Sequence, residues 1–498
     1  MRLAAKDLDI GTGGPLIVIM HKLDAERMDL HSEDRVVLRR GKLAETAILD
    51  LSVSDKLVRP GTLGLMDEMV GLLGAKDGDA IDIQLAKKPE SIQHIRSKLD
   101  GKVLSAAEID DIIRDISNNR LSEIETTYFV AATYVHGLSL EEVAAMTRSM
   151  VRHGEKLCVR AKPVMDKHCI GGVPGNRTTM VVVPIVAAAG LTIPKTSSRA
   201  ITSAAGTADA MEVLANVEIS DLPALHRIVE KVGGCIIWGG SLKLAPADDK
   251  IIRVEKPLSI DAEGQLLASV MAKKYSVCAS DVLIDIPIGE GAKIADRKQA
   301  RHLGMHFEEI GAMLGMRVRV IITDGSQPIG NGVGPALEAR DVLWVLLNDS
   351  RAPNDLREKA LLMAGHLLEM GKTAPPGKGK ALAEGILSSG KAYEKMREII
   401  AAQGKRADRP EDIPLGKRTY AVRAPRSGTV RSVDNKVVAR VARACGCPKD
   451  RGSGLYFHKH VGDRVRKGEL LFTLYADSKE KLAYAKELLS VLTPYTLR

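Results

Sequence analysis

Aromatic side chains are scarce in this chain of 498 residues, since Phe, Trp and Tyr together make up only 3% of it. The aromatic platforms on which single-stranded nucleic acids stack their bases are therefore not expected. Long apolar runs are also lacking, because the longest, residues 180–191, contains a proline and falls short of the roughly 20 residues that span a bilayer. Residues 1–14 contain no apolar signal core. Neither secretion nor a membrane partner is expected.

Cysteine is the next scarce residue type, with six copies in the whole chain. They are too few and too scattered for a disulfide framework, which favours a reducing, cytoplasmic location. Cys445 and Cys447 form a CxC pair, but no second Cys or His pair at ligand spacing follows closely. We therefore predict no metal site.

Positive charge is concentrated at one end of the chain. The formal net charge is +9, yet residues 416–498 hold 18 basic and 7 acidic side chains, which leaves residues 1–415 slightly negative. A basic module can contact nucleic acid, although a solvated face is the more common explanation and no binding motif accompanies it. Any anion site in the remainder of the chain must depend on local geometry.

The chain is long enough for several domains, and the hydrophobic periodicity changes along it. Residues 1–85 alternate short apolar runs with Gly and Asp turns, which predicts a small β module. Residues 31–38 resemble residues 75–83, so we expect two similar halves folded into one barrel.

Helical signals replace the strand signals from residue 89 onward. Ser105, Ser122 and Ser139 are each followed three residues later by Glu, the pattern of a capping box at a helix start. Three helices are predicted up to about residue 153. Strand-like and helical runs then alternate from 159 to 327, as in an α/β layer, and residues 416–498 return to short strands with a final helix.

Two polar loops in the α/β region have the composition of anion sites. Residues 166–177 lead from an apolar segment through three glycines to another apolar segment, and Lys167 adds a positive charge. Backbone N–H groups converge on anions in such loops, although the glycine spacing fits neither the dinucleotide fingerprint nor the Walker motif. Residues 195–209 combine several hydroxyls with Arg199, groups that suit a phosphate or a sugar. Ordinary tight or solvated turns remain the alternative for both loops.

A third group consists of Asp261, Ser269, Lys273 and Lys293. Ser269 and Lys273 are four residues apart and share a face if they lie on a helix. A carboxyl kept protonated by burial at Asp261 could act as a general acid. Each residue taken alone is more commonly a surface residue.

Five segments carry a resemblance to a known family: residues 166–180, 193–209, 244–250, 266–274 and 323–343. They resemble the signature segments of the nucleoside phosphorylase family that includes thymidine phosphorylase. The similarity covers essentially the whole chain and includes an N-terminal module that marks the long archaeal-type branch of the family.

The resemblance implies a multidomain α/β fold. It implies a small helical domain from residues 89–158 and 245–278, a large α/β domain (159–415) with a central mixed sheet, and a cleft between the two domains. The C-terminal module (416–498) resembles a lipoyl-type hammerhead, with residues 461–469 as its turn. No lysine occupies the attachment motif, so we expect no lipoylation.

The resemblance also assigns site residues. Lys167, Ser197 and Thr207 match positions that hold inorganic phosphate, and His168 and Asp261 match the cleft histidine and the proposed proton donor. The positions expected to contact the nucleotide are Gly172, Ser198, Arg199, Ala200, Ile201, Thr202, Ser203, Thr207, Ser269, Lys273 and Lys293. Cys169 departs from the family, which usually has a phosphate-contacting serine there, and a thiol donates hydrogen bonds weakly.

The implied reaction is phosphorolysis of a nucleoside monophosphate, namely AMP and also CMP and UMP, by inorganic phosphate as co-substrate. No cofactor or metal is implied, and a cytoplasmic homo-oligomer is expected. One alternative is a thymidine or pyrimidine nucleoside phosphorylase, whose base-gripping arginine would fall on Val254, next to Arg253. A phosphoribosyltransferase of the anthranilate type shares the fold but needs metal-binding acids that we do not find. A nucleic-acid-binding protein is the non-enzymatic alternative.

Overall fold

The computed structural model describes residues 1–13, 16–200, 203–258 and 262–498. They form two compact units. The first consists of Met1–His153 and Pro246–Ala268, and the second of Gly154–Ala245 and Ser269–Arg498. Within the described ranges, every helix is too short or too polar to cross a bilayer.

A closed barrel of six strands opens the first unit. Its elements are β1 (Arg2–Asp7), β2 (Ile17–His21), α1 (Lys22–Arg27), β3 (Arg35–Arg40), β4 (Leu43–Ser52), β5 (Thr62–Leu65), α2 (Asp67–Leu73) and β6 (Ala80–Leu85). The pairing is symmetric: β1 runs parallel to β5 as β4 does to β2, and β1 pairs antiparallel with β6 as β4 does with β3. The barrel of two similar halves expected from the sequence repeat is confirmed.

Three helices of the first unit begin where the capping residues predict them. The helical part of this unit contains α3 (Ser91–Leu99), α4 (Ala106–Ser117), α5 (Glu123–His136) and α6 (Leu140–Arg152). Ser105, Ser122 and Ser139 each form the complete capping box at the start of α4, α5 and α6. The three predicted helices are confirmed, because each start signal is local and needs no distant partner.

The second unit contains two parallel sheets, with strand orders β11-β10-β7 and β8-β9, and one parallel bridge between Val164 and Thr192, just before β7 and β8, connects them. The strands are β7 (Met165–Cys169), β8 (Ile193–Ser197), β9 (Gly234–Trp238), β10 (Asp281–Ile288) and β11 (Arg317–Asp324). The expectation of a mixed sheet is wrong for these five strands, since every pairing among them is parallel. Helical crossovers connect the strands, which favours parallel pairing.

The helices between and after these strands complete the α/β region. They are α7 (Thr178–Ala188), α8 (Thr207–Glu212), α9 (Leu222–Val232), α10 (Pro246–Glu255), α11 (Glu263–Tyr275), α12 (Arg297–Met313), α13 (Pro335–Leu346), α14 (Asn354–Met370), α15 (Gly379–Ser388) and α16 (Lys391–Ala402). Helix α10 belongs to the first unit, and the division between the units falls inside α11. Residues Thr178 to Ala187 of α7 are all buried, which explains the apolar run found in the sequence.

Two small antiparallel sheets form the C-terminal region. Its elements are β12 (Gly332–Val333), β13 (Arg418–Arg423), β14 (Gly428–Val433), α17 (Asn435–Ala444), β15 (Gly454–Phe457), β16 (Arg464–Val465), β17 (Leu470–Ala476), α18 (Lys479–Val491) and β18 (Tyr495–Leu497). The sheet orders are β12-β15-β17-β13 and β16-β14-β18. Because β12 comes from the α/β region, the pairing of β12 with β15 fixes the C-terminal region to that region.

The structure contains a disulfide that the sequence did not predict. Cys158 and Cys278 are bonded across a sequence separation of 120, and Cys169, Cys235, Cys445 and Cys447 are free thiols. The pairing depends on tertiary proximity, because the backbone next to Cys158 hydrogen-bonds to the end of α11 through Leu157 N and Ser276 O. Spacing along the chain therefore gave no sign of it.

Candidate active site

The candidate site lies at the carboxyl ends of the parallel strands. Strand β7 ends at Cys169 and leads to the loop 170–177, and β8 ends at Ser197 and leads to the second loop, of which residues 198–200 and 203–206 are described. In open α/β sheets, ligands bind outside the carboxyl ends of the strands. Both loops predicted to bind anions therefore lie at the edge where a ligand is expected.

Lys167 directs its ammonium toward the start of α7. It is 1% exposed, and its Nζ donates to the Thr178 hydroxyl at 2.8 Å and to the Thr179 hydroxyl at 3.1 Å. Burial lowers the pKa of Lys167. A positive side chain combined with the N-terminal end of a helix favours an anion at this point.

Cys169 lies two residues after Lys167 on β7 and is half-buried. Asn176 Nδ2 donates to its Sγ at 3.0 Å, and burial with the nearby Asp285 raises the pKa of the thiol to about 12. Asp285 is fully buried, accepts from the Thr323 hydroxyl at 2.5 Å and pairs with Lys359 Nζ at 3.1 Å. Cys169 is therefore a neutral thiol rather than a nucleophilic thiolate.

Gly172 allows the first loop to approach the segment that carries Lys293. Its φ is +96°, and a Cβ at this position would lie 2.6 Å from the backbone N of Lys293. A side chain would be strained by the backbone conformation and would also clash with that backbone. The structure thus brings the predicted residues Gly172 and Lys293 together; the Lys293 residue is exposed.

Arg177 links the two anion loops. Its guanidinium pairs with buried Glu338, donates to Ala205 O, and lies 3.4 Å from the Thr207 hydroxyl. Arg177 ends the first loop and Thr207 begins α8 after the second, so the side chain holds the two loops next to each other. Sequence reasoning gave Arg177 no role, because Glu338 lies 161 residues away.

The second loop is held by carboxylates. Asp209 Oδ2 accepts from the amides of Ala200 at 2.7 Å and Gly206 at 2.8 Å, so the Ala200 amide already has a partner. Ser197 donates from its hydroxyl to Ile237 O, and Ser203 donates to Ala205 O. Ser198 is exposed.

Arg199 is surrounded by negative charge. It pairs with Asp209 at 3.2 Å, Glu212 at 2.8 Å and Glu218 at 2.6 Å, and its guanidinium also lies over the Trp238 ring. Hydrogen bonds to these carboxylates, led by Glu212, raise the pKa of Arg199. Its charge is therefore compensated inside the protein, which argues that Arg199 orders the loop and does not bind a phosphate directly.

Helix α11 presents the predicted Ser269 and Lys273 pair. Lys273 Nζ donates to the Ser269 hydroxyl at 2.8 Å, as the four-residue spacing predicts. The next residue, Lys274, is fully buried and donates to Asp166 Oδ2 on β7 at 2.7 Å. This contact places α11 beside the strand that carries Lys167.

His168 follows Lys167 on β7 and is half-buried. Burial, together with the positive charges of Lys274, Lys195, Lys273 and Lys167, holds the pKa of His168 well below its usual value. The imidazole is therefore neutral near pH 7. It can form hydrogen bonds, but it is a poor source of a proton.

Three predicted residues lie outside the described ranges: Ile201, Thr202 and Asp261. The structure brings the described members of the three groups together through the contacts of Arg177, Gly172 and Lys274. The substrate roles of all these residues stay predictions. Arg177, Asp166, Asp285 and Lys359 were missed, because each acts through partners distant in sequence.

Three family models match this chain. They are a glycosyl transferase family helical bundle domain over residues 92–154, a glycosyl transferase family a/b domain over residues 161–393, and a pyrimidine nucleoside phosphorylase C-terminal domain over residues 429–495. Among solved structures, anthranilate phosphoribosyltransferase from Thermus thermophilus matches with a TM-score of 0.53 and 20% identity, covering 62% of this chain and 99% of that one. This likeness shows the fold. The class that these matches define is an enzyme that transfers a pentosyl group.

Curated relatives extend over nearly the whole chain. The AMP phosphorylase of Pyrococcus furiosus is 48% identical over 495 residues, which is 99% of this chain and 97% of that protein. The AMP phosphorylase of Thermococcus kodakarensis is 47% identical over 97% of this chain and 95% of its own length, and AMP phosphorylase 1 of Archaeoglobus fulgidus is 47% identical over 97% and 94%. The chain therefore belongs to the AMP phosphorylase family, within the thymidine and pyrimidine nucleoside phosphorylases.

Proposed function

We propose that this enzyme cleaves AMP with inorganic phosphate and forms adenine and ribose 1,5-bisphosphate. An oxygen of phosphate attacks C1′ of the ribose, the bond from C1′ to the base nitrogen breaks, and the base leaves with the bonding electrons and takes up a proton. The observation that carries the proposal is the pair of loops held together by Arg177 at the carboxyl ends of the parallel strands, with Lys167 directed toward the start of α7.

Lys167 is the proposed partner of the attacking phosphate. Its ammonium is buried and donates to two uncharged hydroxyls, so it is available to balance the charge of an incoming anion. Fixed positive charge in a site that excludes water lowers the barrier mainly by placing the anion near C1′ and by stabilising charge there. Ser197 and Thr207 are proposed to complete the phosphate site.

Asp261 is the proposed proton donor to the departing base. The neutral state of His168 supports Asp261 over the histidine, because a group with a pKa well below 6.5 is largely deprotonated at pH 7. We propose that His168 helps by hydrogen bonding only.

The nucleotide is proposed to contact Gly172, Ser198, Ala200, Ile201, Thr202, Ser203, Thr207, Ser269, Lys273 and Lys293. Arg199 is proposed to order its loop, because its charge is paired with three carboxylates. Two anion loops together with Lys293 provide more positive and hydrogen-bonding groups than one inorganic phosphate needs. We therefore propose that the 5′-phosphate is required, and that CMP and UMP are accepted as well as AMP.

The remaining proposals concern the whole molecule. We propose a cytoplasmic homo-oligomer that needs no metal or cofactor. We also propose that residues 416–498 form an unlipoylated hammerhead-like module, and the two small antiparallel sheets that this segment forms, one of them together with β12, support this assignment.

The decisive experiment compares phosphate-dependent release of base from AMP, CMP, UMP, adenosine and thymidine under one set of conditions. We expect AMP to exceed adenosine by at least about a hundredfold in kcat/KM, in line with the loss of a charged recognition group. The match to a pyrimidine nucleoside phosphorylase C-terminal domain makes thymidine the relevant competitor. Faster turnover of thymidine than of AMP would replace the proposal by that alternative.

A further inference from the structure

A buried cluster of charged side chains in the second unit is centred on Asp166. This carboxylate is 0% exposed, accepts from Lys274 Nζ at 2.7 Å, and accepts from the Lys167 backbone N–H at 2.6 Å. Lys195 Nζ lies 3.7 Å from Asp166 Oδ1, the oxygen that accepts from the Lys167 N–H, whereas Lys274 donates to Oδ2. Lys274 is 0% and Lys195 is 5% exposed, so all three charges are shielded from water.

The three residues of the Asp166 cluster come from three different elements. Asp166 lies on β7 directly before Lys167, and Lys195 lies on β8 two residues before Ser197. Lys274 follows Lys273 on α11. Each element carries residues that the proposed function assigns to phosphate or nucleotide, and Asp166 contacts all three elements.

Stability alone is a weak explanation for this arrangement. Charged groups lose hydration when they are buried, and well-packed apolar side chains are often as stable as a buried ion pair. Two ammonium groups also face one carboxylate, so the cluster has an excess of positive charge when all three are ionised. Burial lowers the pKa of Lys274 to about 7 in spite of the opposing effect of Asp166. What the cluster does supply is a fixed geometry for three segments, since each ion must stay close to its partner.

We infer that Asp166 is a positioning residue, which, through Lys274 and Lys195, holds the phosphate loops and the Ser269–Lys273 face of α11 in one arrangement. The inference rests on the proposed function, because it explains how residues assigned to two substrates are kept in fixed relative positions. Asp166 itself lies on β7, before the loop 170–177, and its action passes through Lys274, Lys195 and the backbone N–H of Lys167.

A matched control exists in the first unit. Lys98 Nζ donates to Glu142 at 2.8 Å, the side chains are 3% and 1% exposed, and Glu142 also accepts a backbone N–H, from Leu104. This pair has the same chemistry and burial as the pair of Lys274 and Asp166. It contains none of the residues assigned to the site.

The experiment compares Lys274→Met with Lys98→Met in the full chain. We expect both variants to melt at lower temperature than the wild-type protein, because each leaves a buried carboxylate without its lysine. Only Lys274→Met should lose at least about tenfold in kcat/KM for phosphate, while Lys98→Met stays within about twofold. Lys274→Arg keeps the positive charge and should recover most of the loss. Asp166→Asn combined with Lys274→Met should be no worse than Asp166→Asn alone, because the two residues act as a unit.

Equal kinetic constants in Lys274→Met and Lys98→Met would overturn the inference and leave the cluster a purely structural feature. If Lys274→Met does not fold, Lys195→Met, which removes the longer contact to Asp166, replaces it. We then expect kcat/KM for phosphate to fall by about threefold. An unchanged kcat/KM would overturn the inference. Calorimetric titration with inorganic phosphate alone separates this result from the proposed function. Weaker phosphate binding in the variant supports positioning by Asp166 even if the wild-type protein fails to cleave AMP.

Discussion

The basic residues Lys167 and Arg199 at the sheet edge have opposite surroundings. Lys167, beneath the first loop, donates to two threonine hydroxyls that carry no charge. Arg199, in the second loop, is paired with three carboxylates. Both residues fit an anion site when read from the sequence, but of the two it is Arg199 that is paired with carboxylates. We therefore expect Lys167 to serve the chemistry and Arg199 to serve folding.

The strongest test of this difference is Lys167→Met. We expect kcat/KM for phosphate to fall by about a thousandfold, because the variant removes the fixed charge that balances the attacking anion. Initial rates of adenine release against phosphate concentration provide the measurement. Circular dichroism should show that the variant is folded, and a loss below about tenfold would contradict the assignment of Lys167.

Asp261→Asn separates charge placement from proton transfer. An amide has nearly the same volume but cannot give a proton to the base, so kcat should fall by about a hundredfold or more with little change in KM for AMP. Because the acid must be protonated to act, wild-type kcat should fall as pH rises through the pKa of this carboxyl. The variant should lack that limb of the profile, and an active variant with an unchanged profile would show that the proton comes from elsewhere.

Arg199→Met tests whether the arginine of the second loop stabilises the fold. It leaves three carboxylates without their shared partner, so we expect the free energy of unfolding to fall by about 2 kcal/mol, whereas kcat/KM changes by no more than about threefold. Urea unfolding at pH 7 and activity under the same conditions are the two measurements. A hundredfold loss of activity at unchanged stability would make Arg199 a ligand of the substrate.

The loss of stability caused by Arg199→Met should depend on pH in one direction. Hydrogen bonds from Arg199 lower the pKa of Glu212 in the folded protein. A lowered carboxyl pKa stabilises the fold above the unfolded value of about 4.3, and this contribution is lost as pH falls through the folded pKa. The difference in stability between wild type and Arg199→Met should therefore shrink below about pH 4.

Cys169→Ser should have the smallest effect. The thiol is neutral and accepts from Asn176, and a hydroxyl can make the same contact while donating more strongly. We expect kcat/KM for phosphate to stay equal or rise by about twofold, as measured by initial rates. A large loss would show that sulfur has a role of its own.

Sequence reasoning worked where the signal was local. The capping boxes at Ser105, Ser122 and Ser139 and the contact of Lys273 with Ser269 involve residues three or four positions apart, and the structure contains them all. The duplicated barrel could also be predicted, because residues 75–83 repeat the pattern of residues 31–38.

The features that sequence reasoning missed are formed by distant residues. Lys274 meets Asp166 across 108 positions, and the disulfide of Cys158 with Cys278 spans 120. The compensation of Arg199 was missed because residues 209, 212 and 218 lie on α8 and beyond it, and only the fold shows that they surround one guanidinium. The same holds for the parallel sheets, whose pairing follows from crossovers and not from the strands themselves.

Phosphorus NMR of the products tests the account most directly. When the enzyme is incubated with AMP and inorganic phosphate, we predict one equivalent of a sugar with two phosphate resonances, at C1 and C5, for each adenine released, with equal consumption of phosphate. Release of adenine with ribose 5-phosphate and no consumption of phosphate would contradict the central claim, because water would then be the nucleophile and Lys167 would have no attacking anion to place.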